Sequence, residues 1–340
     1  MMAFEQWADR LEQFCGPAWR NGAHKSMNVP GQTWQMAKSD QQFIQNSILN
    51  WMGYDFGRGD IAETEHPICM GTHDDVRIGM RYNEDDFTQA MLATLHEGGH
   101  ALLRQNLPVA YKDMMAGQLS GVGVDETAAL LMENYAGRSR EFASFMAGFL
   151  QQLKPGMKQD DLYAKLSATG HDSPRTDADE VRYPLDVILR YRIEKALIDG
   201  TMTVKDVPAY WRREYKRMTG IDIKDDRDGV LQDVHWFGGE FAWFPNYMAG
   251  QLAAAQLYDA ACRDEPGIKK QLSQGDFTAL RRWMTDNVYA HGARYNIFEL
   301  VENVTGKPLD TSAFENHVKK RYPHLFSGRS YKPGNNPAPR

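Results

Sequence analysis

The stretch A-T-L-H-E-G-G-H-A-L-L, residues 93–103, carries the most information about how this chain folds. It lies within a longer segment, residues 83–107, that opens with acidic residues suited to a helix N-terminus and stops before Pro108. Apolar residues recur in this segment at helical intervals. We therefore predict a helix that carries His96 and His100.

The two histidines of this predicted helix are four residues apart, so they share one face. Both imidazoles can then reach one metal ion, and Glu97 can reach a water molecule beside it. This is the H-E-x-x-H pattern, in which zinc lowers the pKa of water to about 7 and the glutamate acts as general base. His96 and His100 could equally be ordinary helix residues, because a pattern with three specified letters also arises by chance.

Gly98 and Gly99 stand inside the predicted helix. Two glycines cost about 2 kcal/mol of helix propensity relative to alanine. Such a cost indicates that another chain segment or a substrate approaches the helix closely at this point.

A zinc site of this kind usually has a third protein ligand. The next strongly helical segment, residues 124–153, offers Asp125, Glu126 and Glu133. We take Glu126 as the ligand. An acidic residue near the start of a helix also stabilises the helix dipole, so the residues alone leave both roles open.

The composition restricts the kind of protein. The chain has 340 residues, enough for one large core or two coupled lobes, and a formal net charge of -6 with both signs mixed along its length. That charge pattern argues against a nucleic-acid partner. No apolar run approaches the roughly 20 residues of a membrane span, and three widely spaced cysteines argue against a disulfide framework. We expect a cytoplasmic protein without membrane contact.

Hydrophobic periodicity predicts a mainly α-helical fold with little sheet. The strand candidate is residues 74–82, where Val76, Ile78 and Met80 alternate with other residues. The tail, residues 327–340, is rich in Pro, Gly and Asn and is predicted to be disordered. Further helices are predicted at residues 3–15, 39–56, 124–153, 183–200, 204–220 and 245–264.

Several motifs, taken in order, resemble the carboxypeptidase Taq family of zinc metallocarboxypeptidases over about residues 35–325. They are G-Y-D-F-G-R-G-D-I-A-E-T-E-H-P-I (53–68), D-V-R-I-G-M-R-Y (75–82), H-E-G-G-H-A-L-L (96–103), D-E-T-A-A-L-L-M-E-N-Y-A-G-R-S (125–139), R-T-D-A-D-E-V-R-Y-P-L-D-V-I-L-R-Y-R-I-E-K-A-L-I-D-G (175–200) and the segment from Gly229 to Leu257 that contains Q-D-V-H-W. The resemblance implies a large helical metallopeptidase with a deep groove and a small β-sheet beside the H-E-x-x-H helix. It also implies a homodimer that removes single residues from peptides with a free C-terminus.

The same resemblance divides the chain. It implies a catalytic domain at residues 35–326, preceded by a short N-terminal helical segment at residues 1–34 and followed by the tail. Family members usually carry a longer N-terminal region, so we expect a more open groove here.

The resemblance also assigns roles at the metal. His96, His100 and Glu126 match the three metal ligands, and Glu97 matches the catalytic base. Zinc is the expected ion, and cobalt is also possible, because two nitrogens and one oxygen accept several first-row metals.

Substrate-binding roles follow from the resemblance as well. Arg175 matches the arginine that holds the terminal carboxylate, which suits the planar guanidinium, and Arg77 is a second candidate beside Asp75 of the D-x-R motif. His235 of Q-D-V-H-W matches the residue that stabilises the tetrahedral oxyanion, and Asp233 a partner that orients it.

Tyr247 could donate its phenol to the same oxyanion, or it could be an aromatic residue of the core. On the helix of residues 183–200, Arg190 and Arg192 are interpreted as structural, paired with Glu194 or solvated.

Three positions depart from the family pattern. Asp125 stands where the family has histidine, Gly79 where it has threonine, and Trp243 where it has tyrosine. We expect these changes to alter metal affinity, the substrate subsites and oxyanion stabilisation, respectively. Two other functions stay open: an oligopeptidase or dipeptidase with the same zinc site, which the more open groove would allow, and a catalytically weak scaffold that binds metal and peptides, which these departures would allow.

Overall fold

The computed structural model describes residues 2–20, 33–169, 178–232 and 234–326. None of the helices within these ranges combines the length and the apolarity that crossing a membrane requires. The helices are α1 (Met2–Ala18), α2 (Lys38–Met52), α3 (Phe87–Gln105), α4 (Val122–Leu130), α5 (Arg140–Leu150), α6 (Gln159–Leu166), α7 (Tyr183–Ile198), α8 (Val207–Thr219), α9 (Phe244–Asp264), α10 (Ile268–Leu272), α11 (Thr278–Asn287), α12 (Ile297–Thr305) and α13 (Ser312–Arg321). The strands are β1 (Ile61–Glu63), β2 (Ile68–Thr72) and β3 (Asp75–Met80).

The predicted mainly α-helical class is confirmed, and each predicted helix has a counterpart. Two predictions were wrong in extent. The helix expected at residues 39–56 ends at Met52, because Gly53 adopts a left-handed conformation with φ of 88°. The segment 124–153 is not one helix: α4 passes into a π-helical stretch at Leu131–Gly137. Ser139 then starts α5 by accepting a hydrogen bond from the Phe142 backbone N–H.

The described chain forms two compact units. The first unit consists of the described residues within 1–29, 167–248 and 310–340, and the second of those within 30–166 and 249–309. The domain limits expected at residues 34/35 and 326/327 stay a prediction. The tail predicted to be disordered lies outside the described residues.

The second unit contains the small sheet. β3 is its central strand, parallel to β1 and antiparallel to β2. The predicted alternation is confirmed, because Val76, Ile78 and Met80 are buried whereas Asp75 and Arg77 are exposed. The buried side packs with Ala101 of α3 in one hydrophobic cluster, so the sheet lies beside the H-E-x-x-H helix as expected.

The first unit joins chain stretches that are far apart in sequence. Glu12 of α1 accepts hydrogen bonds from Arg192 of α7 and Arg217 of α8, each at 2.5 Å. Glu180 accepts one from Arg321 of α13 at 3.0 Å. Ion pairs thus connect α1 with α7 and α8, and the segment before α7 with α13, within this unit.

Candidate metal centre

Helix α3 presents the H-E-x-x-H residues. Asp86 caps its first turn, where Oδ1 accepts a hydrogen bond from the Thr88 backbone N–H at 3.1 Å. The rings of His96 and His100 lie on one face with their centroids 5.0 Å apart. The helix and its shared histidine face are therefore as predicted.

The two glycines of α3 allow close packing of other helices. A Cβ atom built at Gly99 would lie 2.6 Å from both the carbonyl oxygen of Ala128 and the Cα of Ala129, which belong to α4. One built at Gly98 would lie 2.9 Å from the Cε of Met52 in α2. The close approach expected from the sequence is thus made by chain segments of the same unit, and at Gly99 it draws α4 toward the histidines.

This packing brings Glu126 of α4 to the histidines. The candidate ligand atoms of His96, His100 and Glu126 all lie within 4.8 Å of one another, and His96 Nε2 lies 3.9 Å from Glu126 Oε2. Gly250 of α9 leaves room behind the glutamate, because a Cβ there would lie 2.9 Å from the Cβ of Glu126. Two imidazole nitrogens and one carboxylate oxygen so placed fit a divalent ion such as zinc.

The other two acidic candidates contact the far nitrogens of the histidines. His96 Nδ1 donates to Glu133 Oε2 at 3.0 Å, and His100 Nδ1 lies 2.9 Å from Asp125 Oδ1. With Nδ1 facing a carboxylate, each ring can keep the lone pair of Nε2 for a metal ion. These contacts were not predicted from the sequence. The signal available for one of them was the seven-residue spacing of Glu126 and Glu133, which places both on one helix face.

The site is strongly electronegative. Burial opposes protonation of His96, but the hydrogen bond to Glu133 and the nearby carboxylates of Glu97 and Glu126 outweigh it and raise its pKa to about 10. Burial raises the pKa of Glu97, helped by Glu126 and opposed by the two histidines. This concentration of negative charge favours a divalent cation, and the raised pKa of Glu97 suits a group that accepts a proton.

Asp75 and Arg77 pair with each other on β3. Arg77 Nε donates to Asp75 Oδ1 at 2.9 Å, and both side chains are more than half exposed. The structure also accounts for Gly79 on this strand, because a Cβ there would lie 2.6 Å from Thr64 Oγ1 and 2.8 Å from the Cγ2 of Ile68. Thr64 fills the space that a threonine at position 79 would need.

His235 and Tyr247 lie in the first unit, and the structure brings them together. His235 Nε2 and the Tyr247 phenol oxygen are 2.9 Å apart, and the His235 ring packs against Phe244 with a centroid separation of 4.7 Å. Arg175 and Asp233, the other predicted site residues of this part of the chain, lie outside the described residues.

Glu194 holds the segment around His235. It accepts hydrogen bonds from Trp236 Nε1 at 2.7 Å and from the Ala242 backbone N–H at 3.1 Å. The sequence predicts Glu194 only as a partner of the helix arginines. Arg192 pairs instead with Glu12 and Asp9, which no sequence spacing indicates.

The chain is mainly α-helical and brings two histidines of an H-E-x-x-H helix together with a downstream glutamate, a group that could hold one metal ion, as in a metalloprotein. The family model described as carboxypeptidase Taq (M32) metallopeptidase matches residues 3–322. The chain belongs to this family.

Individual relatives agree with the family assignment. Carboxypeptidase 1 of Bacillus subtilis is 33% identical over 294 residues, which cover 85% of this chain and 59% of the relative. Thermostable carboxypeptidase 1 of Thermus thermophilus is 34% identical over 291 residues, covering 82% and 56%. The crystal structure of the M32 carboxypeptidase from Deinococcus radiodurans R1 matches with a TM-score of 0.90 at 33% identity, over 95% of this chain and 66% of that one. The chain therefore spans less than two thirds of the length of these relatives.

Proposed function

We propose that this protein is a zinc-dependent carboxypeptidase that hydrolyses single residues from the C-termini of peptides. The observation that carries the proposal is the His96–His100–Glu126 group with Glu97 between the two histidines on the same helix. The family assignment and the names of the relatives, which are carboxypeptidases, support it.

Glu97 acts as the general base in this proposal. Bound zinc would supply Lewis acidity, which lowers the pKa of water to about 7 and polarises a carbonyl. Glu97 takes the proton from the attacking water and then passes it to the leaving amine. Its burial supports this role, because a carboxylate with a raised pKa accepts a proton from water more readily than an exposed one.

Tyr247 and His235 are proposed to stabilise the oxyanion. A hydrogen bond in which His235 Nε2–H donates to the phenol oxygen leaves the Tyr247 hydroxyl hydrogen available for the substrate. In that arrangement the phenol is the direct donor and His235 orients it. Asp233 is proposed to orient His235, on the resemblance alone.

Arg175 is proposed to bind the terminal carboxylate, with Arg77 as the second candidate. The side chain of Arg77 already forms an ion pair with Asp75, and this supports the order of the two candidates. Asp75 would hold Arg77 in place if that arginine took part.

The proposal also covers the bound ion, the cellular location, the assembly and the partners of the protein. Zinc is the proposed ion, with cobalt as a substitute that the same donor set accepts. A cytoplasmic location is supported by the three cysteines, which are free thiols. The proposed assembly is a homodimer, on the resemblance to the family, and the proposed partners are peptides with a free C-terminus.

The proposal is tested by mass spectrometry of a mixed peptide library incubated with zinc-loaded protein. The same peptides with amidated C-termini are the matched control, because an amide removes the carboxylate that a carboxypeptidase must bind. We expect stepwise loss of single C-terminal residues from the free peptides only, and no loss with the Glu97→Gln variant. Release of dipeptides or internal fragments would identify an oligopeptidase, and intact peptides with zinc bound would identify a scaffold.

A further inference from the structure

Asp125 precedes Glu126 in the chain, and its side chain faces the Nδ1 of His100 rather than the three candidate ligand atoms. Its Oδ1 lies 2.9 Å from His100 Nδ1, and its Oδ2 accepts a hydrogen bond from Arg104 Nη2 at 2.7 Å. Arg104 is anchored in turn, because its Nη1 donates to the Gly71 carbonyl at 3.1 Å. The carboxylate is thus held between a cation and the ring of a candidate ligand.

The other histidine has a matching arrangement. Glu133 Oε2 accepts from His96 Nδ1 at 3.0 Å, and Glu133 Oε1 accepts from Arg138 Nη2 at 2.7 Å. Arg138 is anchored by its own bond to the Leu166 carbonyl at 2.7 Å. Each candidate histidine ligand therefore faces a carboxylate that an arginine holds in place.

The Asp125–Arg104 pair and His100 are largely buried, which distinguishes this arrangement from an ion pair on the surface. The side chains of Asp125 and Arg104 are 15% and 16% exposed, and that of His100 is 9% exposed. A largely buried carboxylate is costly unless charged partners lie close to it, and here Oδ2 accepts from Arg104 while Oδ1 lies 2.9 Å from His100 Nδ1. A carboxylate can accept from His100 and Arg104 at once, whereas a neutral imidazole offers one acceptor nitrogen.

We propose that Asp125, held by Arg104, is a positioning residue that fixes the ring of His100 for metal binding, as Glu133 does for His96. The inference deepens the proposed function, because it concerns the same metal site. Asp125, which stands where the family has histidine, thereby has a defined role. Together with Arg104 it holds the ring of His100 so that Nε2 faces the ion. Partners of this kind typically contribute 10- to 100-fold in metal affinity.

The test measures zinc affinity directly, by competition with a chromophoric chelator, on the full-length chain. We expect Asp125→Ala to raise the zinc dissociation constant about 10- to 100-fold and to change the visible absorption bands of the cobalt-loaded protein, which report ligand geometry. Asp125→Asn keeps the size of the side chain, and we expect it to weaken zinc binding about 10-fold. The asparagine variant tests the role of Asp125 if the alanine variant does not fold.

Asp86→Ala is the matched control. Asp86 pairs with Lys165 at 2.6 Å, and the two side chains are 18% and 19% exposed, close to the values for Asp125 and Arg104. Asp86 caps the N-terminus of α3, which carries both histidines, and its hydrogen bond there is to Thr88. We expect Asp86→Ala to lower the unfolding temperature and leave the zinc dissociation constant unchanged.

The outcomes separate the inference from the proposed function. A folded Asp125→Ala or Asp125→Asn protein that binds zinc within two-fold of the wild type, with the same cobalt spectrum, would overturn the role of Asp125. Weakened zinc binding in these variants supports that role even if the wild type cleaves no peptide, a result that would overturn the proposed function alone. A wild-type protein that binds no zinc would overturn both.

Discussion

At the scale of single residues, the two adjacent glycines of α3 meet different neighbours. A side chain at Gly99 would meet the backbone of Ala128 and Ala129, which cannot move without shifting α4. A side chain at Gly98 would meet the ends of Met52 and Leu49, which can change rotamer. One position is therefore closed to a methyl group and the other is not.

We expect Gly99→Ala to lower the free energy of unfolding by about 2 kcal/mol, because overpacking of this size costs about 1–3 kcal/mol. Gly98→Ala should stay within about 1 kcal/mol of the wild type, since the gain in helix propensity offsets the repacking. Urea unfolding of the two variants measures the difference. Equal stabilities would contradict the account of how α3 and α4 pack.

Tyr247 provides a second prediction at this scale. We expect Tyr247→Phe to lower kcat about 100-fold with little change in KM, because the phenol donates only where negative charge develops. Tyr258→Phe is the control, since it removes a hydroxyl from the same helix at a ring that packs against Tyr135. Steady-state kinetics on one peptide substrate compares them, and an unchanged kcat in Tyr247→Phe would exclude the phenol as the oxyanion donor.

The roles of single residues could be predicted from the sequence only where they follow from residue spacing or from the order of the motifs. The four-residue interval placed His96 and His100 on one face, and the motif order of the family selected Glu126 over its neighbours. The contact of Asp125 with His100 could not be predicted, because it depends on how α4 packs against α3. Gly99 permits that packing, because its lack of a side chain lets the backbone of Ala128 and Ala129 approach α3.

At the scale of secondary-structure elements, the candidate ligands join two helices. His96 and His100 belong to α3, and Glu126 belongs to α4. An ion bound to all three holds these helices together and is itself lost when they separate. Metal binding and local stability are therefore linked.

We expect zinc at 100 times its dissociation constant to stabilise the protein by about 2.7 kcal/mol, with slower amide exchange in α3 and α4. Hydrogen exchange read by mass spectrometry, with zinc and with a chelator, measures both the size and the place of the effect. Glu126→Gln is the control, since it removes one ligand and keeps the side-chain shape. Protection spread evenly over the chain would contradict a site built on these two helices.

Element prediction succeeded where periodicity was long and failed where elements were short. α3 is 19 residues long, shows helical hydrophobic periodicity and begins at a capping aspartate, and its limits were predicted within a few residues. β1 and β2 have three and five residues and carry too little alternation to be recognised. The break between α4 and α5 was missed because the π-helical stretch keeps an apolar composition, and no helix was predicted after residue 264.

At the scale of the whole molecule, buried ion pairs connect distant parts of the first unit. Burial raises the pKa of Glu180, but the charges of Arg321 and His317 outweigh it and hold that pKa far below its ordinary value of 4.5. The unfolded chain therefore binds a proton at a pH where the folded chain does not. The stabilisation from Glu180 is present above about pH 4.5 and is lost as the pH falls toward the folded pKa.

We expect Glu180→Gln to lower the free energy of unfolding by about 3 kcal/mol at pH 7, because it leaves Arg321 buried without its charge partner. The difference from the wild type should shrink as the pH is lowered below 4.5. Urea unfolding between pH 3 and about 7 measures it. The exposed Glu65→Gln variant removes an equal charge as a control, and a pH-independent difference for Glu180→Gln would contradict the assigned ion pair.

The division of the units along the chain has a consequence for biosynthesis. The second unit needs residues up to 309, and the first needs α13 to enclose Glu180. A ribosome adds about 5–20 residues each second, so roughly 15–60 seconds pass between the synthesis of α1 and that of α13. During that interval the apolar face of α1, which packs on the later helices α7 and α8, is open to chaperones and to other nascent chains. A stop codon anywhere before α13 would therefore yield a chain with one unit unfinished, which cellular proteases would degrade.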